Sequence, residues 1–244
     1  MIRQVYGWRA VIGYLYPSHG MTIGEEFRKA APAGVVFHGA DMPGPFSWST
    51  EEVRALLDQV EQATKTVAAA GVDVIIQTGV PIGIVNGIGT DGQIIKIMEK
   101  ASGLPCTTHI TAIVEALRHL GITKVIIVTG YFGEKVNQIF YKFMEDSGFK
   151  VIAMEDLGIN WHNTSDASPY SYYRPSKSLY KKFPEAEGIL ISGGNTFQND
   201  VIEPLEADLG VPVITQRSAA LWKVLNMVEI REPIPGLGRL LKMF

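Results

Sequence analysis

Two stretches of this sequence end alike: Val74-Ile75-Ile76-Gln77-Thr78-Gly79, and Gly188-Ile189-Leu190-Ile191-Ser192-Gly193-Gly194-Asn195. Each is an apolar run that stops at a small, flexible, polar turn. Such runs are typical of buried parallel strands, and the carboxyl ends of those strands carry the binding sites of α/β proteins. Because backbone amides exposed at these turns bind small anions, we expect the two turns to hold an anion in a shared cleft.

The same pattern continues along the chain, where strand-like runs alternate with segments of helical period. This alternation predicts an α/β fold with doubly wound parallel sheets. Strand, glycine-rich turn and helix recur around residues 72–101 and 188–208, so the chain reads as two related halves. The predicted strands are 10–16, 34–38, 72–77, 124–129, 150–154, 188–192 and 211–215. The predicted helices are 22–29, 51–70, 91–101, 110–119, 134–147, 198–208 and 218–226.

One stretch, residues 160–182, is predicted to be irregular. It carries several aromatic residues among Ser, Asn and Pro. That composition suits a loop that closes over a pocket.

Composition restricts the partners of the protein. The net charge is −3 and the basic residues are scattered, whereas nucleic-acid binding needs a concentrated basic surface. The apolar runs are shorter than the roughly 18 residues that span a bilayer. The one cysteine excludes an internal disulfide, and the first eight residues lack a signal-like apolar core. We expect a cytoplasmic protein with no nucleic-acid or membrane partner, and a homo-oligomer is left open.

The first turn supplies three candidate donors to a carboxylate. Pro81 has no N–H group, so the Thr78 hydroxyl and the amides of Gly79 and Val80 would do the donating. An ordinary strand-to-loop turn is the alternative interpretation.

The second turn is the stronger candidate. Gly193 and Gly194 permit close backbone approach, and the side chains of Ser192, Asn195 and Thr196 converge on the same point. Such a turn can stabilise developing negative charge.

Two further residues, His19 and Tyr131, are candidates for proton transfer or substrate contact. His19 follows the first strand and can donate or accept a proton near neutral pH. Tyr131 follows the strand that opens the second half and can hydrogen-bond a carboxylate, or simply pack. We interpret His109 as a satisfied polar residue rather than a catalyst, and Cys106 as structural.

No dinucleotide, nucleotide, zinc or nucleophile-elbow motif occurs in the sequence. We therefore expect no cofactor and no metal.

The order and spacing of several motifs, from about residue 10 to residue 240, resemble arylmalonate decarboxylase, a family of the aspartate/glutamate racemase superfamily that also contains maleate cis-trans isomerase. The motifs are Gly103-Leu104-Pro105-Cys106-Thr107-Thr108, Thr111-Ala112, Ala116-Leu117-Arg118-His119-Leu120-Gly121, Thr129-Gly130-Tyr131, 188–194, Leu209-Gly210-Val211-Pro212-Val213 and Pro235-Gly236-Leu237-Gly238-Arg239-Leu240.

The resemblance implies two pseudo-symmetric Rossmann-like lobes with a cofactor-independent active site in the cleft between them. We expect the first lobe to comprise residues 1–115 and 213–244, and the second to comprise residues 116–212. It also implies a carboxylate-binding hole at Val80, Pro81, Tyr131, Gly194 and Asn195. Thr78, Asn195 and Thr196 would compensate for the hydroxyl residues that Val80 and Pro81 replace.

The resemblance further implies where the family carries its catalytic thiols. Racemases and maleate isomerase place one cysteine at each turn, and the decarboxylase keeps only the second. Those positions fall on Gly79 and Gly193, so both thiols are missing here.

Three functions stay open on this basis. The first is a decarboxylase-type lyase that stabilises an enediolate in an oxyanion hole, with water or His19 as the proton source. The second is an isomerase like maleate isomerase, and the third is a non-catalytic binder of small acids.

Overall fold

The computed structural model describes residues 6–17, 20–44, 49–130, 133–159, 164 and 167–243. These residues form an α/β fold built on two four-stranded parallel sheets. The strand order is β2-β1-β3-β4 in the first sheet and β6-β5-β7-β8 in the second, which is the same topology repeated. The predicted fold of two pseudo-symmetric lobes is confirmed.

The first sheet and its helices precede the second along the chain. Its elements are β1 (Ala10–Pro17), α1 (Met21–Ala30), β2 (Val35–Met42), α2 (Thr50–Ala55), a 3₁₀ turn (Leu56–Gln59), α3 (Val60–Ala68), β3 (Val74–Gln77), α4 (Val80–Ile84), α5 (Thr90–Ser102), β4 (Cys106–Thr108) and α6 (His109–His119).

The second sheet repeats the pattern. Its elements are β5 (Lys124–Thr129), α7 (Gly133–Asp146), β6 (Lys150–Asp156), α8 (Tyr170–Lys182), β7 (Gly188–Ser192), a 3₁₀ turn (Asn199–Val201), α9 (Ile202–Leu209), β8 (Val213–Thr215) and α10 (Gln216–Met227).

Apolar side chains on both faces of the strands make the core. In β3, Val74 and Ile76 belong to a cluster that continues into the second lobe, whereas Ile75 belongs to a cluster between the first sheet and α3 and α5. This split follows from the alternation of side chains along a strand. Because one cluster runs through both lobes, the lobes share a core.

Two expectations of the sequence analysis need correction. β8 pairs with β7, so the second sheet continues past the expected boundary at residue 212. In the first sheet, β4 pairs with β3 in the same way. The rest of the expected lobe division stays a prediction. The strand β4 was missing from the predicted strands because it is only three residues long.

The stretch expected to be irregular contains α8. This helix has Pro175 in its interior, and its composition favours a loop. It buries Tyr172, Ser176 and Leu179, which are spaced as one face of a helix. Packing of that face therefore overrides the local propensity.

Neither a membrane-spanning helix nor a metal-binding cluster occurs among the residues that the structure describes. No helix there is long and apolar enough to span a membrane. The same residues contain no group of three or more His, Cys, Asp or Glu side chains arranged to hold a metal ion.

Candidate functional site

The two glycine turns occupy equivalent places in the two lobes. In the first sheet Gln77 pairs with Thr108, and in the second Ile191 pairs with Thr215. Both threonines cap the helix that follows, each accepting a hydrogen bond from a backbone amide three residues on. Gly79 lies two residues after Gln77, and Gly193 lies two residues after Ile191.

The first of these glycines, Gly79, has φ of +97° and ψ of +93°. L-residues with side chains rarely adopt this conformation, so Gly79 permits the sharp turn from β3 into α4. The Gly79 amide donates to Nδ1 of His109 at 3.0 Å, and the Thr78 hydroxyl donates to the Leu15 carbonyl at 2.7 Å. Of the three donors expected at this turn, the Val80 amide alone has no partner among the described residues.

Replacing Gly79 with alanine should lower the free energy of unfolding by about 1–3 kcal/mol, because a β-carbon is strained at this backbone conformation. Gly92→Ala is the matched control. Gly92 lies in α5 with open space around its β-position, so alanine there should stabilise the protein by roughly 0.5–1 kcal/mol. Urea unfolding measures both changes, and equal effects of the two variants would contradict the assignment of strain to the turn.

His109 is fully buried, and only one of its ring nitrogens is satisfied. Burial lowers the pKa of His109 well below its usual value, and the positive charge of Arg217 lowers it further. The neutral ring accepts at Nδ1, so its proton lies on Nε2. The described residues offer Nε2 no acceptor. The expectation that His109 is a satisfied polar residue is therefore half right, since one buried donor remains unpaired.

In the second turn the side chains hold the turn in place. The Ser192 hydroxyl donates to the Gln216 side chain at 2.8 Å. The Asn195 Oδ1 atom accepts from the amide of Thr22 at 3.0 Å and from the Thr22 hydroxyl at 3.1 Å. Its Nδ2 atom donates to the Thr164 hydroxyl at 3.2 Å. These side chains connect the turn to α1 and α10.

The backbone amides of the second turn are different. The amides of Gly193, Gly194 and Thr196 have no hydrogen-bond partner among the described residues, although Gly193 and Thr196 are buried. Unpaired buried amides are rare in native proteins. Three unpaired amides on one four-residue turn, two of them on buried residues, make a cluster of donors suited to an anion.

Tyr172 packs directly against this turn. Its hydroxyl oxygen occupies the place that a β-carbon on Gly193 would need, and its Cζ atom lies 2.8 Å from that place. The hydroxyl is 2.8 Å from Oγ1 of Thr196. Residue 193 therefore has no room for a side chain while Tyr172 stays where it is. Sequence reasoning missed this residue because it treated α8 as a loop.

A buried ion pair links the second turn to the first lobe. The Arg217 Nε atom lies 3.2 Å from Oε2 of Glu26 on α1, and Nη2 donates to the carbonyl of Gly194. The other Glu26 oxygen accepts from the amides of Gln198 and Asn199 at 2.8 and 3.0 Å. Burial raises the pKa of Glu26, and Arg217 and the two amides oppose that rise. Arg217, which bonds the second turn, therefore also lowers the pKa of His109, which bonds the first turn.

The remaining predicted site residues are distributed as follows. His19 and Tyr131 lie outside the described residues. Gly79, Val80, Thr78 and their partners form one turn, and the residues from Ser192 to Thr196 form the other. The hydrogen bonds above join both turns to the beginnings of α6 and α10. Several neighbours of the second turn were not singled out from the sequence, among them Tyr172, Arg217, Glu26, Thr22 and Gln216.

Known proteins resemble this chain over most of its length. A family model described as arylmalonate decarboxylase matches residues 46–241. The arylmalonate decarboxylase of Bordetella bronchiseptica is 26% identical over 196 residues, which cover 80% of this chain and 81% of that protein. A maleate isomerase of Nocardia farcinica is 23% identical over 242 residues, covering 95% of each.

Solved structures agree on the fold. Unliganded arylmalonate decarboxylase superposes with a TM-score of 0.84 at 24% identity, covering 95% of this chain and 98% of that one. The Nocardia farcinica maleate cis-trans isomerase bound to TRIS superposes with a TM-score of 0.86 at 21% identity, covering 96% and 98%. The resemblance noted in the sequence is thus confirmed by independent comparisons of sequence and fold. The chain belongs to the arylmalonate decarboxylase family.

Proposed function

We propose that the protein is a cofactor-independent lyase that decarboxylates a small malonate-type dicarboxylic acid. The observation that carries the proposal is the cluster of unpaired amides on the second turn, at Gly193, Gly194 and Thr196. When the bond to the departing carboxylate breaks, the electron pair moves into the remaining carboxylate and forms an enediolate. Donors fixed where that charge develops are worth roughly 10²–10³ in rate each.

The orientation of the Gly194 amide is fixed in advance. The Gly193 carbonyl accepts the Thr196 hydroxyl at 3.0 Å. Because the peptide between residues 193 and 194 is planar, the Gly194 N–H points away from that carbonyl. A donor held in this way needs no reorganisation during the reaction, which favours catalysis over loose anion binding.

The thiol chemistry of an isomerase or a two-base racemase is less well supported. Cys106 is the single cysteine of the chain, and burial raises the pKa of its thiol to about 11. Its Sγ atom lies 3.3 Å from the Leu104 carbonyl oxygen. A protonated, buried thiol is a poor nucleophile. A lyase that stabilises charge with amides needs no such group.

The proposed substrate contacts remain those of the two turns, together with Tyr131, and His19 remains a proposed proton source. The residues are Thr78, Gly79, Val80, Ser192, Gly193, Gly194, Asn195 and Thr196.

Purified protein should release carbon dioxide from at least one member of a panel of aryl- and alkylmalonates. Maleate is assayed beside it. Conversion of maleate without carbon dioxide release would favour the isomerase instead. Calorimetric binding of malonates with neither reaction would identify a binder of small acids.

A further inference from the structure

Side chains hold both of the peptides that meet at Gly194 in the second turn. Gly194 has φ of +52°, and glycine can leave this conformation at little cost. On one side, the Gly193 carbonyl accepts the Thr196 hydroxyl at 3.0 Å. On the other, the Gly194 carbonyl accepts from Nη2 of Arg217 and, at 3.4 Å, from Nε2 of Gln216. These bonds therefore fix the directions of the Gly194 and Thr196 amides, which have no partner among the described residues.

Arg217 is itself held by the first lobe. Its Nε atom lies 3.2 Å from Oε2 of Glu26 on α1, and its Nη2 atom lies 3.4 Å from the Thr22 hydroxyl. The Arg217 side chain is 3% exposed and the Glu26 side chain 5%. The other Glu26 oxygen accepts the amides of Gln198 and Asn199, which follow the turn. One carboxylate of the first lobe thus holds Arg217 and the chain beyond the turn together.

The guanidinium of Arg217 bonds these partners through two different nitrogens. Nε faces the Glu26 carboxylate, whereas Nη2 faces the Gly194 carbonyl. The planar fork of a guanidinium suits this double contact, because its nitrogens are fixed relative to one another. A lysine has the same charge but a single nitrogen. The ion pair and the bond to the turn can therefore be separated by substitution.

We propose that Arg217 is the positioning residue of the second turn. It fixes the Gly194 carbonyl, and with it the amides that hold an anion, while Glu26 sets the place of the guanidinium. For catalysis the assignment rests on the proposed function, in which those amides hold the enediolate. Donors fixed before the charge develops need no reorganisation during the reaction. Arg217 acts through the turn and needs no contact with the substrate.

The test compares Arg217→Lys with the wild-type protein in two measurements. Carbon dioxide release from phenylmalonate gives the rate, and calorimetric titration with inorganic phosphate gives the anion affinity without any reaction. Arg217→Lys should keep the ion pair with Glu26 but release the Gly194 carbonyl. We expect kcat to fall ~10²-fold and the phosphate affinity to fall about tenfold, with one phosphate still bound per chain. Misfolding would instead lower the number of binding chains and leave the affinity of the rest unchanged.

Glu26→Gln releases the guanidinium from the opposite partner. Glutamine has nearly the same shape and keeps an oxygen for the amides of Gln198 and Asn199, but it lacks the charge that holds Arg217. It should weaken both kcat and phosphate affinity in the same direction. Arg28→Lys is the matched control, since Arg28 is exposed on α1 and pairs with Glu25, and both of its values should equal those of the wild type. Circular dichroism verifies that each variant is folded.

Each outcome bears on one of the two proposals. A folded Arg217→Lys or Glu26→Gln variant with wild-type kcat and phosphate affinity would overturn the positioning role and leave the decarboxylase function intact. Phosphate that does not bind the wild-type protein would also overturn the positioning role. Phosphate binding that Arg217→Lys weakens, without carbon dioxide release from any malonate, would support the positioning role and overturn the proposed function alone.

Discussion

Replacing Arg217 with methionine should lower the free energy of unfolding at pH 7 by about 3–5 kcal/mol. The Arg217 guanidinium is buried beside the Glu26 carboxylate and also donates to the Gly194 carbonyl. Methionine keeps most of the apolar bulk but leaves the Glu26 charge inside the protein without its counterion. Urea denaturation followed by circular dichroism measures the loss.

The loss should depend on pH in a defined direction. Burial already raises the pKa of Glu26 in the folded protein, and Arg217 opposes that rise. Without Arg217 the folded-state pKa should rise further above that of the unfolded chain, so the folded state binds the extra proton. The stability of the variant should then fall as pH rises through this interval. Below the unfolded-state pKa of about 4.3, Glu26 is protonated in both states, so the loss of stability caused by its unpaired charge should vanish.

Arg28→Met is the matched control for this experiment. Arg28 lies on the same helix as Glu26 and forms an exposed pair with Glu25 at 2.9 Å. Exposed pairs are screened by water and salt, so its loss should leave the unfolding midpoint unchanged. The buried pair does not act as described if Arg217→Met is no less stable than Arg28→Met. The same conclusion follows if Arg217→Met is destabilised equally at every pH.

The parts of the fold that the sequence predicted best are the central strands. The predicted ranges 124–129 and 188–192 coincide with β5 and β7. Strands buried on both faces read as uninterrupted apolar runs, and glycine or threonine marks their ends. Because the described strands β1 to β8 run parallel within their sheets, their carboxyl ends share one edge of each sheet. The two turns could therefore be recognised as candidate sites from single runs of residues.

The partners of those turns could not be recognised in the same way. The bonds from Asn195 to Thr22 and from Arg217 to Glu26 join residues more than 170 positions apart. A single sequence contains no signal for such pairings. One local signal was available, because Thr108 and Thr215 both cap helices and place His109 and Gln216 at matching positions. It would have drawn attention to the residues that hold each turn.

Tyr172 escaped prediction for a different reason. Local composition in α8 favours a loop, and the helix owes its stability to burial of one face. The spacing of Tyr172, Ser176 and Leu179 was the available signal, but Pro175 between them argued against a helix. Consequently the side chain that packs against the second turn was assigned to a loop closing over a pocket.

Introducing cysteine at Gly193 alone should destabilise the protein by about 1–3 kcal/mol. The new β-carbon would overlap the Tyr172 hydroxyl oxygen and lie 2.8 Å from the Tyr172 Cζ atom and 2.9 Å from Oγ1 of Thr196. The phenol is fully buried, so it cannot move aside without disturbing α8. Adding Tyr172→Phe should give only partial relief, because it removes the hydroxyl but leaves the ring carbon Cζ 2.8 Å from the new β-carbon.

Truncating the tyrosine should relieve the clash. Tyr172→Ala alone should cost about 3–5 kcal/mol through the cavity that it leaves. With Gly193→Cys added, the thiol enters that cavity, and the double variant should be more stable than the sum of the single losses by up to about 3 kcal/mol. Urea unfolding of the four proteins in this cycle measures the coupling.

The control for the cysteine itself is Gly92→Cys, where the β-position is open and the variant should unfold like the wild type. Strict additivity of the two changes at residues 172 and 193 would show that their side chains do not compete for one space. Coupling of the expected sign would mean that the phenol of Tyr172 and a side chain at residue 193 compete for one space. In that case a thiol can be accommodated at residue 193 only when the side chain of residue 172 is shortened in the same variant.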